Sequence, residues 1–433
     1  MLKIHRLYIC LIINFILLVN ISVSHAENNI PTISAEASIV YCINTNQILY
    51  EKNIYEKHFP ASITKVMTAM LAIEHNKLDD VITYSDTAVN SIERNSSHLW
   101  VVSEEQLTVA NSLYGLLLKS ANEIANGLAE KTSGSIDKFV NLMNTEARSL
   151  GCKDTHFTNT NGLPNDNHYT TAYDMALISA DAFKSSTFRE IISTKLYTIP
   201  ATNKNTERII ANEHKMFQNT KFHYDYCLGG KTGYTIAAGH TLVTFAEKDG
   251  MQLVSVILKS DSKDFYLDAI NTLDYAFNNY KLVTLLKEKQ STKKIPVFEG
   301  INVKDNIDAR TSKELTFVVP IDSATTDIKA EYNLPSKLDK SISAGEKLGT
   351  VKYYYDNKVI AYTELFADKT VAVKKSILDF KDGFFIGLMG LIFMLIVFIF
   401  KGSIILVLIL ALLLILAKIF KFKIKIKNRK TKY

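Results

Sequence analysis

The stretch "KTGYTIAAGHTLV", residues 231–243, places a lysine, a threonine and a glycine at the start of an otherwise apolar strand. Buried strands normally exclude charge, so Lys231 is expected to face a ligand rather than the core. The strand continues into "HTLVTFAEKDGMQLVSVILK", in which two strand-like runs are joined by Asp249 and Gly250. An Asp-Gly pair between such runs is a strong hairpin signal. The segment therefore predicts an antiparallel hairpin with Lys231 at its functional end.

A candidate nucleophile lies upstream, in "PASITKVMTAMLAIEHNK", where apolar residues recur with the 3.6-residue period of a half-buried helix. Ser62 opens this helix, and Lys65 follows one turn later on the same face. Burial, the helix N-terminus and a second cation would each disfavour a charged lysine. A neutral Lys65 amine could then accept the proton of Ser62. The same S-x-x-K spacing recurs at Ser135, Ser260 and Ser291, so the helical context is what distinguishes Ser62.

A third motif interrupts "LTVANSLYGLLLKSANEIANGLAEKTSG", which has two helical halves around Ser120-Ala121-Asn122. Residues two apart on a helix point in nearly opposite directions. Ser120 and Asn122 can therefore face one site only if the helix is broken between the halves. In amide hydrolysis, Ser120 could relay a proton and Asn122 could donate to a substrate amide.

The K-T-G strand supplies what remains of an amide-cleaving site. Lys231 could polarise the proton relay and attract an anion, and Thr232 offers a hydroxyl group. Gly233 removes a side chain where a substrate must lie close to the strand, and an edge strand can accept a peptide by strand addition. These residues predict a ligand that is a peptide with a terminal carboxylate.

The three motifs S-x-x-K, S-x-N and K-T-G, in this order, resemble those of the penicillin-recognising serine enzymes. Four longer blocks resemble the low-molecular-mass penicillin-binding proteins that act as D-alanyl-D-alanine carboxypeptidases. The blocks are "FPASITKVMTAMLA", "LLLKSANEIANGLAE", "FTNTNGLPNDNHYTTAYDMA" and "GGKTGYTIAAGHTLV". The resemblance covers about residues 31–375.

The resemblance implies an α+β fold: a catalytic domain in which an antiparallel sheet packs against helices, followed by a small β-sandwich. We expect the catalytic domain at residues 27–285. The sandwich is expected at 292–374, where short alternating runs such as "ELTFVVP" predict strands. The implied activity is removal of the terminal D-alanine from peptidoglycan stem pentapeptides, with acylation by β-lactams.

The resemblance also implies a role for each candidate residue. Ser62 would be the acylated nucleophile and Lys65 its general base. Two backbone N–H groups, those of Ser62 and Tyr234, would form the oxyanion hole. The proton and substrate-binding network would comprise Ser120, Asn122, Lys231, Thr232 and Gly233. Two departures from the family are Glu123-Ile124, where Asp-Ala is common, and "NEHKMF" before K-T-G, where many relatives carry a basic or hydroxyl residue.

Other functions remain open at this stage. A D,D-endopeptidase would cut cross-links with the same residues. A β-lactamase would need a route for a deacylating water, and the sequence shows no convincing acidic motif for it. A catalytically silent wall-binding scaffold would keep the fold without the chemistry, although the intact motifs argue against it.

The N-terminus predicts export. Lys3 and Arg6 precede an apolar run, and Ser24-His25-Ala26 is a small-x-small cleavage site, so residues 1–26 are a signal peptide. An uncleaved anchor is the alternative. Of the formal net charge of +6, two positive charges lie in this leader and eight in residues 418–433, so the remainder carries −4. This mildly acidic body predicts no nucleic-acid partner.

Cysteine usage predicts neither a disulfide framework nor a metal site. Cys10 leaves with the leader, and Cys42, Cys152 and Cys227 form an odd set. Neither H-E-x-x-H nor paired C-x-x-C occurs, so we expect no metal and no cofactor.

The C-terminus predicts a membrane anchor in residues 384–417. Residues 384–400 are uncharged and mostly apolar, Lys401-Gly402-Ser403 interrupts this apolar run, and residues 404–417 are again apolar. One straight helix through all of this would be about 51 Å long, more than a bilayer needs. Two spans would put the basic residues outside, against the positive-inside tendency. We therefore expect one span, an extracytoplasmic catalytic domain and a cytoplasmic tail at 418–433.

Overall fold

The computed structural model of the chain describes residues 30–93, 95–260, 263–374 and 382–427. The predicted leader and the last residues of the basic tail lie outside this described part. The helices are α1 (Lys65–His75), α2 (Asp86–Asn90), α3 (Val109–Leu118), α4 (Asn122–Ser133), α5 (Ile136–Ser149), α6 (Ala172–Ala182), α7 (Ser186–Ser193), α8 (Phe265–Asn279) and α9 (Asp382–Lys427). Short 3₁₀ helices span Ala61–Thr64, Lys215–Phe217 and Thr325–Asp327.

The strands complete the secondary structure. They are β1 (Ala37–Cys42), β2 (Gln47–Lys52), β3 (Val81–Thr83), β4 (Gln106–Thr108), β5 (Leu196–Ile199), β6 (Arg208–Ala211), β7 (Cys227–Thr235), β8 (Gly239–Lys248), β9 (Met251–Ser260), β10 (Tyr280–Leu286), β11 (Ser291–Glu299), β12 (Asn302–Arg310), β13 (Leu315–Pro320), β14 (Lys329–Asn333), β15 (Lys347–Tyr355) and β16 (Lys358–Ala367).

The chain forms two compact units, and the first contains the three motifs. Its central sheet has five antiparallel strands in the order β2-β1-β9-β8-β7. The predicted hairpin is confirmed as β8–β9, with positive φ at both Asp249 and Gly250. The K-T-G strand β7 is an edge strand of this sheet, and no further strand of the described chain pairs with its outer edge.

Both faces of this sheet are buried, which explains the long apolar runs in its central strands. Val243 and Phe245 of β8 pack into the core that contains α1 and α3 to α6. Leu242 and Ala246 alternate with them and pack into a second core with α8. A sheet with helices on both faces confirms the predicted α+β class.

The predicted break between Ser120 and Asn122 is also confirmed. Helix α3 ends at Leu118 and α4 begins at Asn122. Ser120 lies between them in the left-handed region, with φ of +61°. This reversal lets Ser120, between the helices, and Asn122, the first residue of α4, face one site.

The second unit comprises residues 286–315 and the described chain from Lys329 onward. Its strands form a five-stranded antiparallel sheet in the order β11-β12-β16-β15-β14. Ile295, Ile307, Val351 and Leu365 are fully or almost fully buried on it. The all-β character predicted for this part of the chain is confirmed.

Helix α9 continues through Lys401-Gly402-Ser403, so the interruption of the apolar run is not an interruption of the helix. A glycine or serine inside a helix costs only about 1 kcal/mol or less relative to alanine, too little to break a segment rich in leucine and isoleucine. Within α9, residues Gly387–Lys418 are long and apolar enough to cross a membrane.

The segment that carries Ser62 is held in place by a close backbone contact. Gly162 has φ of +88°, and a Cβ atom there would lie 1.8 Å from the Ala61 carbonyl oxygen. Only glycine allows the loop at residues 159–163 to approach Ala61 this closely.

We therefore expect Gly162→Ala to destabilise the protein by several kcal/mol, because steric overlap adds to left-handed strain. Gly151→Ala is the matched control, since Gly151 has φ of +89° but open space around it. Left-handed strain alone should cost about 1–2 kcal/mol there. Urea unfolding of both variants measures the difference, and equal losses would contradict the proposed packing role of Gly162.

Candidate active site

Six of the predicted site residues line one cleft of about 620 Å³: Ser62, Ser120, Asn122, Thr232, Gly233 and Tyr234. The two predicted lysines, Lys65 and Lys231, are not among the residues that line this cleft. Lys65 is completely buried and Lys231 is 2% exposed. The structure therefore brings residues from three separate segments of the sequence to one place.

Ser62 and Lys65 lie on successive helical segments. Ser62 belongs to the 3₁₀ turn Ala61–Thr64, and Lys65 begins α1. Their Nζ and Oγ atoms are 3.0 Å apart. The predicted contact between the two side chains is present, although a 3₁₀ turn rather than an α-helix carries the serine.

The Lys65 amine has three oxygen neighbours. Besides Ser62 Oγ, it donates to Asn122 Oδ1 at 2.7 Å and to the Asn161 carbonyl oxygen at 2.6 Å. The two carbonyl oxygens can only accept, whereas the hydroxyl of Ser62 can also donate. A neutral amine has two N–H donors and one lone pair. In that form Lys65 satisfies both carbonyls and directs its lone pair at Ser62.

The electrostatics favour that neutral form. Burial lowers the pKa of Lys65 well below its usual range, and the positive charge of Lys231 lowers it further. Glu123 and Glu213 act in the opposite direction. A buried amine beside another cation is a base that can accept a proton near neutral pH.

Lys231 is a buried lysine, not a solvated one. Its Nζ donates to the Thr232 carbonyl oxygen at 2.7 Å. Burial lowers the pKa of Lys231 to about 8, while the negative charge of Glu213 opposes this shift. Lys231 therefore remains mostly charged at pH 7 and loses its proton in a mildly alkaline solution.

The two named residues of the S-x-N motif, Ser120 and Asn122, both line the cleft. Asn122 uses its Oδ1 atom to accept from Lys65, which fixes its Nδ2 donor at the other end of the amide. Ser120 is 3% exposed, and its Oγ has no hydrogen-bond partner in the described part of the chain. A buried hydroxyl without a partner is available to a substrate atom.

Gly233 has a different neighbourhood from the one its sequence context suggests. A Cβ atom at this position would lie 2.3 Å from Thr241 Oγ1 and 2.8 Å from the Ser62 amide nitrogen. The space beside Gly233 is therefore filled by the protein itself. The glycine lets the nucleophile's backbone pack directly on β7.

Sequence reasoning missed several residues that hold this arrangement. Thr241 Oγ1 donates to the Pro60 carbonyl oxygen at 2.8 Å, which fixes the start of the Ser62 turn on β8. Thr68 Oγ1 donates to the Thr160 carbonyl oxygen at 2.5 Å, which fixes the loop that contacts Lys65. The run "TNTNG" has the composition of a loop, but nothing in it indicates that the Asn161 carbonyl reaches Lys65.

Comparison with known proteins places these motifs in a family. A family model described as D-alanyl-D-alanine carboxypeptidase matches residues 23–262, more than half of the chain. The chain belongs to the D-alanyl-D-alanine carboxypeptidase family. A second model, of the C-terminal domain of penicillin-binding protein 5, matches residues 280–373.

Individual relatives agree with this family. The D-alanyl-D-alanine carboxypeptidase DacF of Bacillus subtilis is 30% identical over 345 residues, covering 77% of this chain and 85% of the relative. Penicillin-binding protein 5 from Haemophilus influenzae has a similar fold, with a TM-score of 0.67 at 27% identity over 79% of this chain and 98% of its own. The Streptomyces K15 DD-transpeptidase gives a TM-score of 0.54 at 29% identity, over 57% of this chain and 98% of its own.

One departure from the family pattern can now be placed. Within "NEHKMF", Asn212, Glu213 and Lys215 all line the cleft. Glu213 forms an ion pair with Lys119 at 3.0 Å. His214 lies below β7, where its Nε2 atom is 3.0 Å from Thr244 Oγ1, and burial lowers its pKa to about 3. The segment thus contributes both a carboxylate and an amine to the cleft wall.

The titration of Lys231 yields a prediction for this carboxypeptidase. If a charged Lys231 is needed for acylation, kcat/KM should fall as the pH rises through about 8. In Lys231→Arg the fall in kcat/KM at alkaline pH should be absent from the measured range, because a guanidinium stays protonated. Lys231→Ala should lose about 100- to 1000-fold at all pH values.

Acylation by a chromogenic β-lactam, followed from pH 6 to about 10, measures these profiles. An alkaline limb that persists near pH 8 in Lys231→Arg would show that another group causes it.

Proposed function

We propose that this D-alanyl-D-alanine carboxypeptidase removes the terminal D-alanine of peptidoglycan stem pentapeptides through an acyl-enzyme on Ser62. The contact of the buried Lys65 amine with Ser62 Oγ at 3.0 Å supports this role most strongly. The two other contacts of the amine are obligate acceptors, so its lone pair is left for the serine proton.

Acylation begins when Lys65 accepts the proton of Ser62 and Oγ attacks the carbonyl carbon of the scissile amide. The N–H groups of Ser62 and Tyr234 stabilise the oxyanion. Ser120, polarised by charged Lys231, passes its hydroxyl proton to the nitrogen of the departing D-alanine as the C–N bond breaks. The Lys65 ammonium then returns a proton to Ser120, so that Ser120 is again a hydroxyl and Lys65 is again a neutral base. A water then attacks the ester carbonyl while Lys65 takes its proton, and that proton returns to Ser62 Oγ.

The cleft can hold an extended peptide beside β7. Within the described part of the chain, β7 is the last strand of its sheet, so a substrate can pair with its outer edge. The Nδ2 donor of Asn122 faces away from Lys65 and would bind a substrate carbonyl. Thr232 and Lys231 would bind the terminal carboxylate.

The wall of the cleft favours a carboxypeptidase over a β-lactamase. Fast hydrolysis of a β-lactam acyl-enzyme needs a base for the water in addition to the acylating machinery. Among the described residues that line the cleft, Glu213 is the one carboxylate, and it is paired with Lys119. We therefore expect β-lactams to acylate Ser62 and to remain bound.

For localisation, we propose export by residues 1–26 and one membrane span within α9. The apolar stretch Gly387–Lys418 would be about 48 Å long as a straight helix, so it would span with tilt or leave one end at the interface. The catalytic cleft would then face the cell wall, and the basic tail would contact anionic lipid inside.

The assignment of the nucleophile predicts that Ser62→Ala abolishes both pentapeptide hydrolysis and labelling by a fluorescent penicillin. Ser135→Ala and Ser291→Ala are the controls, because both residues begin S-x-x-K matches. Ser135 caps α5 and Ser291 begins β11, so neither has a lysine amine at its hydroxyl. Covalent labelling that persists in Ser62→Ala would refute the assignment.

The topology predicts that a cysteine at position 430 is protected in intact cells. Lys430→Cys, in a background with the native cysteines replaced, should resist an impermeant thiol reagent until the cells are permeabilised. Rapid labelling of intact cells would support two spans, and release of the protein by high salt would exclude a span altogether.

A further inference from the structure

Next to the cleft lies a loop that the catalytic mechanism does not use, residues 97–105, which we call the Trp100 loop. Ser97 lines the cleft, and its carbonyl oxygen accepts from the Asn122 N–H at 2.9 Å. Three residues further on, Trp100 is the one tryptophan of the chain. Its side chain is 76% exposed.

The backbone at Trp100 is strained. Its φ is +61°, in the left-handed region that residues with a Cβ atom rarely occupy. Such a conformation persists only where the surroundings impose it, and strain of this kind clusters at functional sites. Burial of the indole does not offset this strain, because the side chain of Trp100 is exposed.

A buried carboxylate imposes the conformation from one side. Glu123 is 1% exposed, and its Oε1 atom accepts from the N–H of Leu99 at 2.6 Å and from that of Val101 at 3.4 Å. The two N–H groups flank Trp100. Glu123, which follows Asn122 in the chain, therefore holds the backbone on both sides of Trp100.

A second buried carboxylate fixes the far end of the loop. Glu105 is completely buried, accepts from the Val102 N–H at 3.1 Å and pairs with Arg208. Arg208 also donates to the Leu99 carbonyl oxygen at 3.3 Å, and Asn205 donates to that of Trp100 at 3.5 Å. Buried ion pairs contribute little net stability, so this network is better explained by the loop geometry it specifies.

The surroundings of Trp100 limit what it could bind. Residues 95–103, "NSSHLWVVS", carry no Asp, Glu, Lys or Arg, so this segment offers no attraction to anionic lipid. Its polar groups are the neutral side chains of Asn95, Ser96 and Ser97, and His98 packs edge-on against the indole, with ring centroids 3.7 Å apart. The exposed apolar groups of this segment are the Trp100 ring and Val102, which is 44% exposed, and together they are too small a surface for a stable protein interface.

We propose that Trp100 is a subsite for a sugar ring of the glycan strand that carries the stem peptide, an inference that rests on the proposed function. The C–H groups on one face of a pyranose ring carry partial positive charge and suit the negative face of an indole. The neighbouring amide and hydroxyl side chains can bind the sugar's hydroxyl and N-acetyl groups. Because Ser97 lines the cleft, a substrate bound beside β7 could reach Trp100 with its attached saccharide.

Kinetics with two substrates test the subsite. We expect the wild type to hydrolyse a disaccharide-linked pentapeptide with a kcat/KM about three- to tenfold above that of the bare pentapeptide. Trp100→Ala should remove this advantage, mainly through KM, and leave the bare peptide within about twofold of wild type. Tyr55→Ala is the control, because Tyr55 is also an exposed aromatic, at 64%, but has no cleft-lining residue within three positions, whereas Trp100 follows Ser97.

Fluorescence gives an independent measurement, since Trp100 is the chain's single tryptophan. In the full chain carrying Ser62→Ala, the peptide-free disaccharide should change the emission saturably. Equal kcat/KM for both substrates together with unchanged emission would overturn the subsite. A blue shift on anionic phosphatidylglycerol vesicles without a response to the sugar would also overturn it, in favour of a membrane contact.

The two proposals fail in different ways. If the wild type hydrolysed neither substrate and Ser62 were not acylated by penicillin, the proposed function would be wrong. A saturable response of Trp100 to the disaccharide would still support the sugar subsite in that case. Hydrolysis of the bare peptide without any effect of the saccharide would instead refute the subsite and leave the carboxypeptidase intact.

Discussion

The burial of one lysine amine against Ser62 is the interaction on which the rest of the site depends. An amine without solvent is uncharged unless an anion compensates it, and the other contacts of Lys65 are the neutral oxygens of Asn122 and Asn161. Burial thus creates the base, while the two carbonyls direct its lone pair. The second buried cation, Lys231, lowers the pKa of Lys65 further. In the proposed mechanism Lys231 also polarises Ser120, which protonates the leaving group.

The fold can be understood as the means of keeping that contact rigid. The turn that carries Ser62 packs against β7 at Gly233 and against the loop at Gly162. A hydrogen bond from Thr241 of β8 to the Pro60 carbonyl oxygen holds the start of the turn. Each of these contacts is made by backbone or by a short side chain, so the serine has little freedom. In the proposed mechanism this rigidity favours acylation, because Lys65 and Ser62 are already in contact before the substrate arrives.

The sequence was sufficient for what depends on local pattern. The 3.6-residue period placed Ser62 at a helix start, the two-residue spacing of Ser120 and Asn122 required a break, and Asp249-Gly250 required a hairpin. Contacts between distant segments could not be predicted from local pattern. The Asn161 carbonyl contacts Lys65, and the Glu123 carboxylate contacts Leu99, only because the tertiary fold brings these segments together. Helix α9 continues through Lys401-Gly402-Ser403, because one glycine and one serine disfavour a helix only weakly compared with the leucine- and isoleucine-rich sequence around them.

The protonation state of Lys65 tests this account most directly. Carbon-13 chemical shifts of the lysine Cε atoms, recorded against pH and assigned with Lys65→Arg, report whether the amine is charged. The account predicts that Lys65 is neutral at pH 7 in the free enzyme, with a pKa well below the usual lysine range. A Lys65 amine that stays charged up to pH of about 10, as an ordinary lysine does, would contradict it.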